Sequence, residues 1–168
     1  MTRPGATTNW REQPTVTLRG LLLALVMLGA AGLVLDLLLL EHFESAWQWT
    51  PIALLVGVLG SGIAVARWPG RRALRTMQAL MGLCVVAGFV GIFLHLRGNV
   101  EFEQEQDPDA QGLALFWEAI RGATPALAPA ALSQLGLLGL VFVFRHPALR
   151  QPTPIPASDA ATNTEHPR

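Results

Sequence analysis

The sequence predicts an all-α membrane protein, with four transmembrane helices in an antiparallel bundle and a short amphipathic surface helix before the fourth span. The first observation behind this is composition: 51% of the 168 residues are hydrophobic and only 14% are charged. A typical soluble domain carries about 25% charged residues. The second is that four stretches contain about 20 mostly apolar residues each, the length that crosses a hydrocarbon core of about 30 Å as a helix. The third is an uneven distribution of arginine.

The four apolar stretches cover about residues 18–40, 50–67, 74–96 and 125–144. The first is too long for the apolar region of a signal peptide, so we expect it to be retained. Short connections follow the first and second stretches, and a longer outer loop, residues 97–124, precedes the fourth. Each stretch can therefore cross the membrane in the direction opposite to the one before it.

Helix-boundary signals support the second and fourth spans. Thr50 and Thr124 each precede a proline, which predicts a hydroxyl N-cap followed by proline in the first turn. Trp49 and Trp68 lie at opposite ends of the second span, about 28 Å apart in a helix, and interfacial tryptophans have this spacing. Gly98 predicts the end of the third span through a left-handed cap.

Arginine sets the predicted direction of insertion. All twelve basic residues are arginine, and only Arg97 and Arg121 lie in the outer loop. Cytoplasmic loops hold the excess of basic residues, so both termini are predicted to be cytoplasmic. The other ten arginines are Arg3, Arg11, Arg19, Arg67, Arg71, Arg72, Arg75, Arg145, Arg150 and Arg168.

The absence of lysine and tyrosine, with abundant Ala, Gly and Pro, is typical of a GC-rich bacterial genome, so we expect the bacterial inner membrane.

The two tails are predicted to be disordered. Residues 1–16 are polar, and residues 147–168 contain five prolines without an apolar period. The four-helix transmembrane domain is therefore expected over residues 17–146.

Several classes of function lack support in the sequence. The net charge is zero, which argues against a nucleic-acid partner. The single cysteine, Cys84, excludes an internal disulfide and paired-thiol redox chemistry. No nucleophile elbow, phosphate loop or metal-ligand spacing is present. We therefore expect a protein that is not an enzyme, with no catalytic or metal-binding residues and no cofactor.

Small residues recur along every span, and such residues let helices approach closely in a bilayer. They predict partners in the membrane, both the lipid bilayer and other membrane proteins. Gln134 lies near the middle of the fourth span, where its amide is expected to make an interhelical hydrogen bond or, alternatively, a ligand contact. The small residues include Gly29, Ala30, Ala31, Gly32, Ala53, Gly57, Ser61, Gly88, Gly91, Gly136 and Gly139.

The outer ends of the spans carry four candidate functional residues, Asp36, His42, His95 and Arg97. Asp36 is the one acid inside a span, and intramembrane acids are costly. We expect it to pair with His95 or Arg97 or to reach water, and a proton or ion pathway is the alternative. His42 and His95 are titratable interfacial residues, and a haem or metal site at them is the least favoured interpretation.

The outer loop is predicted to be a docking surface. Glu101, Glu103 and Glu105 open a run of five acids, and an amphipathic helix is expected over residues 109–121, lying on the outer membrane surface. Phe116 and Trp117 on that helix are residue types enriched at protein interfaces. A solvated acidic loop beside a lipid anchor is the alternative interpretation.

Two stretches resemble a group of small bacterial four-span membrane proteins of unknown function. They are residues 95–103 and the run from Gly122 through Pro125, Pro129 and Gln134 to Gly139. The resemblance covers the spans and not the tails. It implies the same four-span layout, and it implies no activity, cofactor or catalytic residue.

Together these patterns favour an accessory or assembly subunit of a larger membrane complex. A small transporter or channel component is the alternative, since Asp36, Ser61, Ser133 and Gln134 place some polar groups in the spans. A membrane redox protein using His42 and His95 is less favoured.

Overall fold

The computed structural model describes residues 13–41, 43–122 and 124–150, and all regular secondary structure in these ranges is helical. Three helices are long and apolar enough, by length and composition, to cross a membrane: α1 over Leu18–Leu39, α2 and α3. The fourth apolar helix, α5, has 14 residues. The all-helical prediction is therefore confirmed. The helices are α1 (Gln13–Leu39), α2 (Trp49–Arg67), α3 (Arg71–Gln106), α4 (Gly112–Arg121), α5 (Ala130–Val143) and α6 (Pro147–Arg150).

Helix α3 runs well past its predicted end at Gly98. It continues to Gln106, so the first ten residues of the predicted outer loop are helical. The side chains of Arg97 and Glu101 pair at i, i+4 across the predicted break, an arrangement that supports a helix. The helix ends where Asp107 precedes Pro108, because the residue before proline is disfavoured in the α conformation.

The predicted threonine caps are not present. Helix α2 begins at Trp49, so Thr50 lies inside its first turn. Helix α5 begins at Ala130 rather than at Pro125. Over residues 125–130 the backbone instead makes bonds between residues three apart, from Ala128 N–H to Pro125 O (3.1 Å) and from Ala130 N–H to Leu127 O (2.9 Å). Pro129 has no N–H to donate, so a regular α-helical ladder cannot include a bond from that position.

Both predicted tails are partly helical in the structure. Helix α1 begins at Gln13, inside the predicted N-terminal tail, and α6 occupies the start of the predicted C-terminal tail. Residues 1–12 and 151–168 lie outside the described residues, so the prediction of disorder stays a prediction there.

Helices α1, α2, α3 and α5 form a closed ring of neighbours: α1 packs on α2 and α5, and α3 packs on α2 and α5. Helix α4 packs on α3. Many apolar side chains nevertheless remain exposed on α1 and α3. The shared core is made of Val26, Ala30, Leu55, Val58, Val65, Leu74, Met77, Met81, Cys84, Leu132, Leu135, Phe142 and Val143.

Helices α3 and α5 approach each other closely, and glycine makes this possible. A Cβ at Gly88 would lie 2.7 Å from Ser133 N and 2.8 Å from Pro129 O, and a Cβ at Gly136 would lie 2.6 Å from Met81 O. The two backbones thus meet at the predicted small residues. Not every predicted small residue serves this purpose, since no atom of another helix lies within 4 Å of a Cβ placed at Gly32.

Candidate functional site

Charge separates the two ends of the helix ring. At one end, Arg19 of α1 donates from Nη1 to Phe142 O (2.7 Å) and from Nη2 to Phe144 O (3.2 Å), so it caps the last carbonyls of α5. Helix α3 starts at this end, and α6 packs on it. Within the described residues this arginine end contains no acid. Its arginines are Arg19, Arg67, Arg71, Arg72, Arg75, Arg145 and Arg150.

His146 follows α5 at the arginine end. Burial, and secondly the positive charge of Arg19, lower the pKa of His146 from its ordinary value. Its Nδ1 accepts a long bond from Ala148 N–H (3.3 Å), which fixes the first turn of α6. The neutral imidazole is therefore part of the local structure.

The opposite, acidic end carries every acid of the described residues. Its most developed feature is a pair of packed helices that we call the outer hairpin: residues 97–106 of α3, the connection 107–111, and α4. Gly112 opens α4 with a φ of +64°, a left-handed conformation that favours glycine. The chain thus reverses direction within five residues.

Asn99 holds the outer hairpin together. Its Nδ2 donates to Ala119 O (2.8 Å) and Thr124 O (2.7 Å). Its Oδ1 accepts from Thr124 N–H (3.3 Å) and Thr124 Oγ1 (2.5 Å). The residue is only 2% exposed. All four hydrogen-bonding positions of the amide are therefore used.

Gly122, just after α4, allows this contact. A Cβ there would lie 2.8 Å from Asn99 Cγ. The end of α4 and the start of the following connection are consequently fixed to α3 at the level of Asn99.

The outward face of α4 is apolar. Leu113 is 79% exposed, Phe116 45% and Trp117 51%, whereas Ala119 is fully buried against α3. The guanidinium carbon of Arg121 lies 5.2 Å from the centroid of a Trp117 ring, a cation–π contact. The predicted amphipathic helix is thus present over Gly112–Arg121, three residues shorter at its start than predicted.

The predicted docking acids lie on the α3 side of the outer hairpin. The Arg97 Nε donates to Glu101 Oε1 at 2.7 Å, with both side chains more than half exposed. Glu103 is half-buried and Glu105 is exposed. The acids therefore stand on a helix rather than in a loop, on the same hairpin as Phe116 and Trp117.

The other candidate residues are placed separately. Asp36 is exposed on α1, and Arg97, one of its two expected partners, pairs with Glu101 instead. His95 is half-buried on α3. His42 lies outside the described residues, so a site shared with His95 stays a prediction. Among residues 13–41, 43–122 and 124–150, no group of three or more His, Cys, Asp or Glu side chains could hold a metal ion.

The interhelical hydrogen bond expected of Gln134 is not made within the described residues. Gln134 is exposed on α5, and Ser133 beside it makes the interhelical bond, from its Oγ to Val85 O at 2.9 Å. Ser61, another buried hydroxyl, donates to Val58 O in its own helix (2.9 Å). These two hydroxyls serve backbone carbonyls.

Asn99 was not singled out from the sequence, although a signal exists. The buried residues of α3, Leu74, Met77, Met81, Cys84 and Gly88, repeat every three or four positions. Continued through Gly91 and His95, the same stripe reaches Asn99. Placing a helix end at Gly98 hid this continuation.

Comparisons of the chain with protein-family models, with curated proteins and with solved structures find no match. The resemblance to small bacterial four-span proteins therefore stays a prediction.

Proposed function

We propose that the chain is a four-span protein of the bacterial inner membrane, with both termini cytoplasmic and the outer hairpin on the far side. Three apolar helices of sufficient length support this. The fourth span would combine the tight turns of residues 125–129 with α5, about 20 residues in all. The concentration of arginine at one end supports the orientation.

Contacts between α3 and α5 support the antiparallel arrangement. A Cβ at Gly91 would meet Pro129, near the start of the fourth span, and a Cβ at Gly139, near its end, would meet Met81. A later residue of α3 thus meets the start of the fourth span, and an earlier residue of α3 meets its end. Arg19 at the start of α1 likewise contacts Phe142 at the end of α5.

We further propose that this four-span protein is a non-enzymatic accessory or assembly subunit of a larger membrane complex. The observation that carries this proposal is the outer hairpin, a helical projection held by Asn99 that presents acids and an apolar face together. A solvated loop would need neither the fixed geometry nor the exposed aromatic side chains.

The length of α3 favours a protein partner over lipid for this surface. Thirty-six residues at about 1.5 Å each extend about 54 Å, well beyond a hydrocarbon core of about 30 Å. The end of α4 is bonded to Asn99, close to the predicted membrane level, and its start follows the tip of α3. We infer that α4 runs back along α3, with Leu113 farthest from the bilayer, and does not lie flat on the membrane as the sequence predicted.

The partner's surface should be basic with an apolar centre. Six acids and one arginine lie between residues 101 and 121, and the apolar face of α4 lies among them. Such complementarity increases the association rate and makes binding sensitive to salt.

Replacing Glu101, Glu103 and Glu105 with Gln tests the proposal. The variant should insert and fold as the unmodified protein does, but proteins that co-purify from native membranes in mild detergent should be lost. Rising salt should release the same proteins from the unmodified chain. The matched control is Glu41→Gln with Glu44→Gln, which removes exposed acids from the same end outside the hairpin. Retention of the same proteins by the triple variant, or purification of the unmodified chain alone, would refute the docking role.

A further inference from the structure

We infer that the exposed face of α5 associates with α5 of a second copy of this chain, through Gln134 at the centre of the membrane. The inference rests on the transmembrane placement of α5 proposed above and is independent of the outer hairpin. It begins with an amide that has no hydrogen-bonding partner among the residues described, on a helix face that is exposed in the described structure.

Gln134 lies at mid-depth in its span. It is tenth of the twenty residues 125–144, and its neighbour Ser133 bonds to Val85, halfway along the predicted third span 74–96. A glutamine side chain at this depth is too short to reach either interface, about 15 Å away. Facing lipid, its amide would lose the hydrogen bonds that it makes in water, which is costly in hydrocarbon.

The residues beside Gln134 form an apolar strip. Gln134, Leu137 and Val141 are the exposed residues of α5, with Ala130 half-exposed at the start of the helix. Their spacing is i, i+4, i+7 and i+11, the pattern of core positions in a two-helix coiled coil. A single polar residue in such a seam sets register and oligomeric state.

A second copy satisfies the amide in full. Copies of one chain insert in the same direction, so a two-fold axis along the membrane normal places α5 parallel to α5 of the partner. The same residue then meets itself across the axis. Each Gln134 can donate from Nε2 to Oε1 of the other, because an amide carries both a donor and an acceptor. Small Ala130 on the same strip allows the helices to approach at one end.

Disulfide formation in native membranes tests the inference, in a Cys84→Ala background. Leu137→Cys should give a cross-linked dimer on mild oxidation, since position 137 faces its own copy. The matched control is Leu83→Cys, an apolar residue equally exposed on α3, which should stay monomeric (53% exposed for each leucine). Equal cross-linking at both positions would indicate random collision and overturn the inference, as would cross-linking at neither.

The amide is tested by the equilibrium between monomer and dimer in bilayers, followed by energy transfer between labelled copies. Gln134→Leu should raise the dimer Kd by about 3- to 30-fold, the range expected for an interhelical hydrogen bond in a membrane. Leu137→Met, which keeps the seam apolar, should change it less. A Kd unchanged by Gln134→Leu would overturn the role of the amide. Association that requires a different protein would overturn the pairing with a second copy.

The two proposals fail in distinguishable ways. The thiol of a Gln134→Cys variant should resist an impermeant thiol reagent, because lipid and the partner helix shield it. Labelling there would refute the membrane placement of α5 itself. A monomer that resists labelling at position 134 would refute only the dimer and leave the proposed placement and the docking test untouched.

Discussion

The side-chain amide of Asn99 has two donor hydrogens and an oxygen with two lone pairs, and the structure uses each of them. Burial makes this arrangement consequential, because a buried polar group left without a partner costs about 1–3 kcal/mol. Arg19 plays a comparable role at the other end, where its guanidinium caps the carbonyls of Phe142 and Phe144. At each end of the helix ring, a single polar side chain thus bonds one helix to the backbone of another part of the chain.

Asn99→Ala should release the outer hairpin. It would leave Ala119 O, Thr124 O and Thr124 N–H without their partner, so we expect α4 to lose about 1–3 kcal/mol of local stability. Asn99→Asp keeps the shape and the acceptor but cannot donate to the two carbonyls, and it should lose at least as much. Hydrogen exchange of the α4 amides in detergent measures both. Gln104→Ala, an exposed change on the same part of α3, is the control, and α4 protection unchanged in both Asn99 variants would contradict the prediction.

At the scale of elements, the pairing of α3 with α5 depends on glycines that bring backbones together. Gly88 and Gly136 each leave no room for a Cβ against backbone atoms of the opposite helix. In a bilayer, close packing of this kind replaces the hydrophobic effect as the force between helices. The bond from Ser133 to Val85 is possible at this short separation.

A methyl group at Gly88 should therefore separate α3 from α5. We expect Gly88→Ala to lower the free energy of unfolding in detergent by about 1–3 kcal/mol, the usual cost of overpacking. Gly82→Ala is the matched control on the same helix, since nothing lies within 4 Å of a Cβ there. It should leave stability unchanged or raise it by up to about 1 kcal/mol through helix propensity. Equal effects of the two changes would show that the α3–α5 contact is not as close as described.

Helix type was predictable from the sequence, and helix ends were less so. Apolar runs of span length predicted helices at all four sites, because in a bilayer a helix makes all the backbone hydrogen bonds of such a run internally. The end of α3 was mispredicted because Gly98 permits a left-handed cap without requiring one, and the pair Arg97–Glu101 continues the helix instead. The exposure of Gln134 could not be read from the sequence, because it depends on which face of α5 meets α3.

At the scale of the whole molecule, all acids of the described residues lie at one end, which the direction of membrane insertion does not require. Within the described residues the arginine end carries seven arginines and no acid, and the acidic end carries all nine acids with Arg97 and Arg121. The ends are thus oppositely charged although the complete chain has zero net charge. Arginine predicts the direction of insertion. Acids contribute little to insertion, so their concentration at one end calls for another cause, and the proposed contact with a partner supplies one.

The direction of insertion gives the last prediction. Single cysteines replace Gln104 at the tip of α3, Pro69 between α2 and α3, and Ala157 in the C-terminal tail, each in a Cys84→Ala background. In intact spheroplasts an impermeant thiol reagent should label position 104 alone, and permeabilisation should add positions 69 and 157. Gln104 and Pro69 are exposed, so access to the side chain does not limit labelling at these two positions. Labelling of 69 and 157 but not 104 in intact spheroplasts would invert the proposed topology. Labelling of 104 and 157 together would show that the fourth span, with its 14-residue α5, does not cross the membrane.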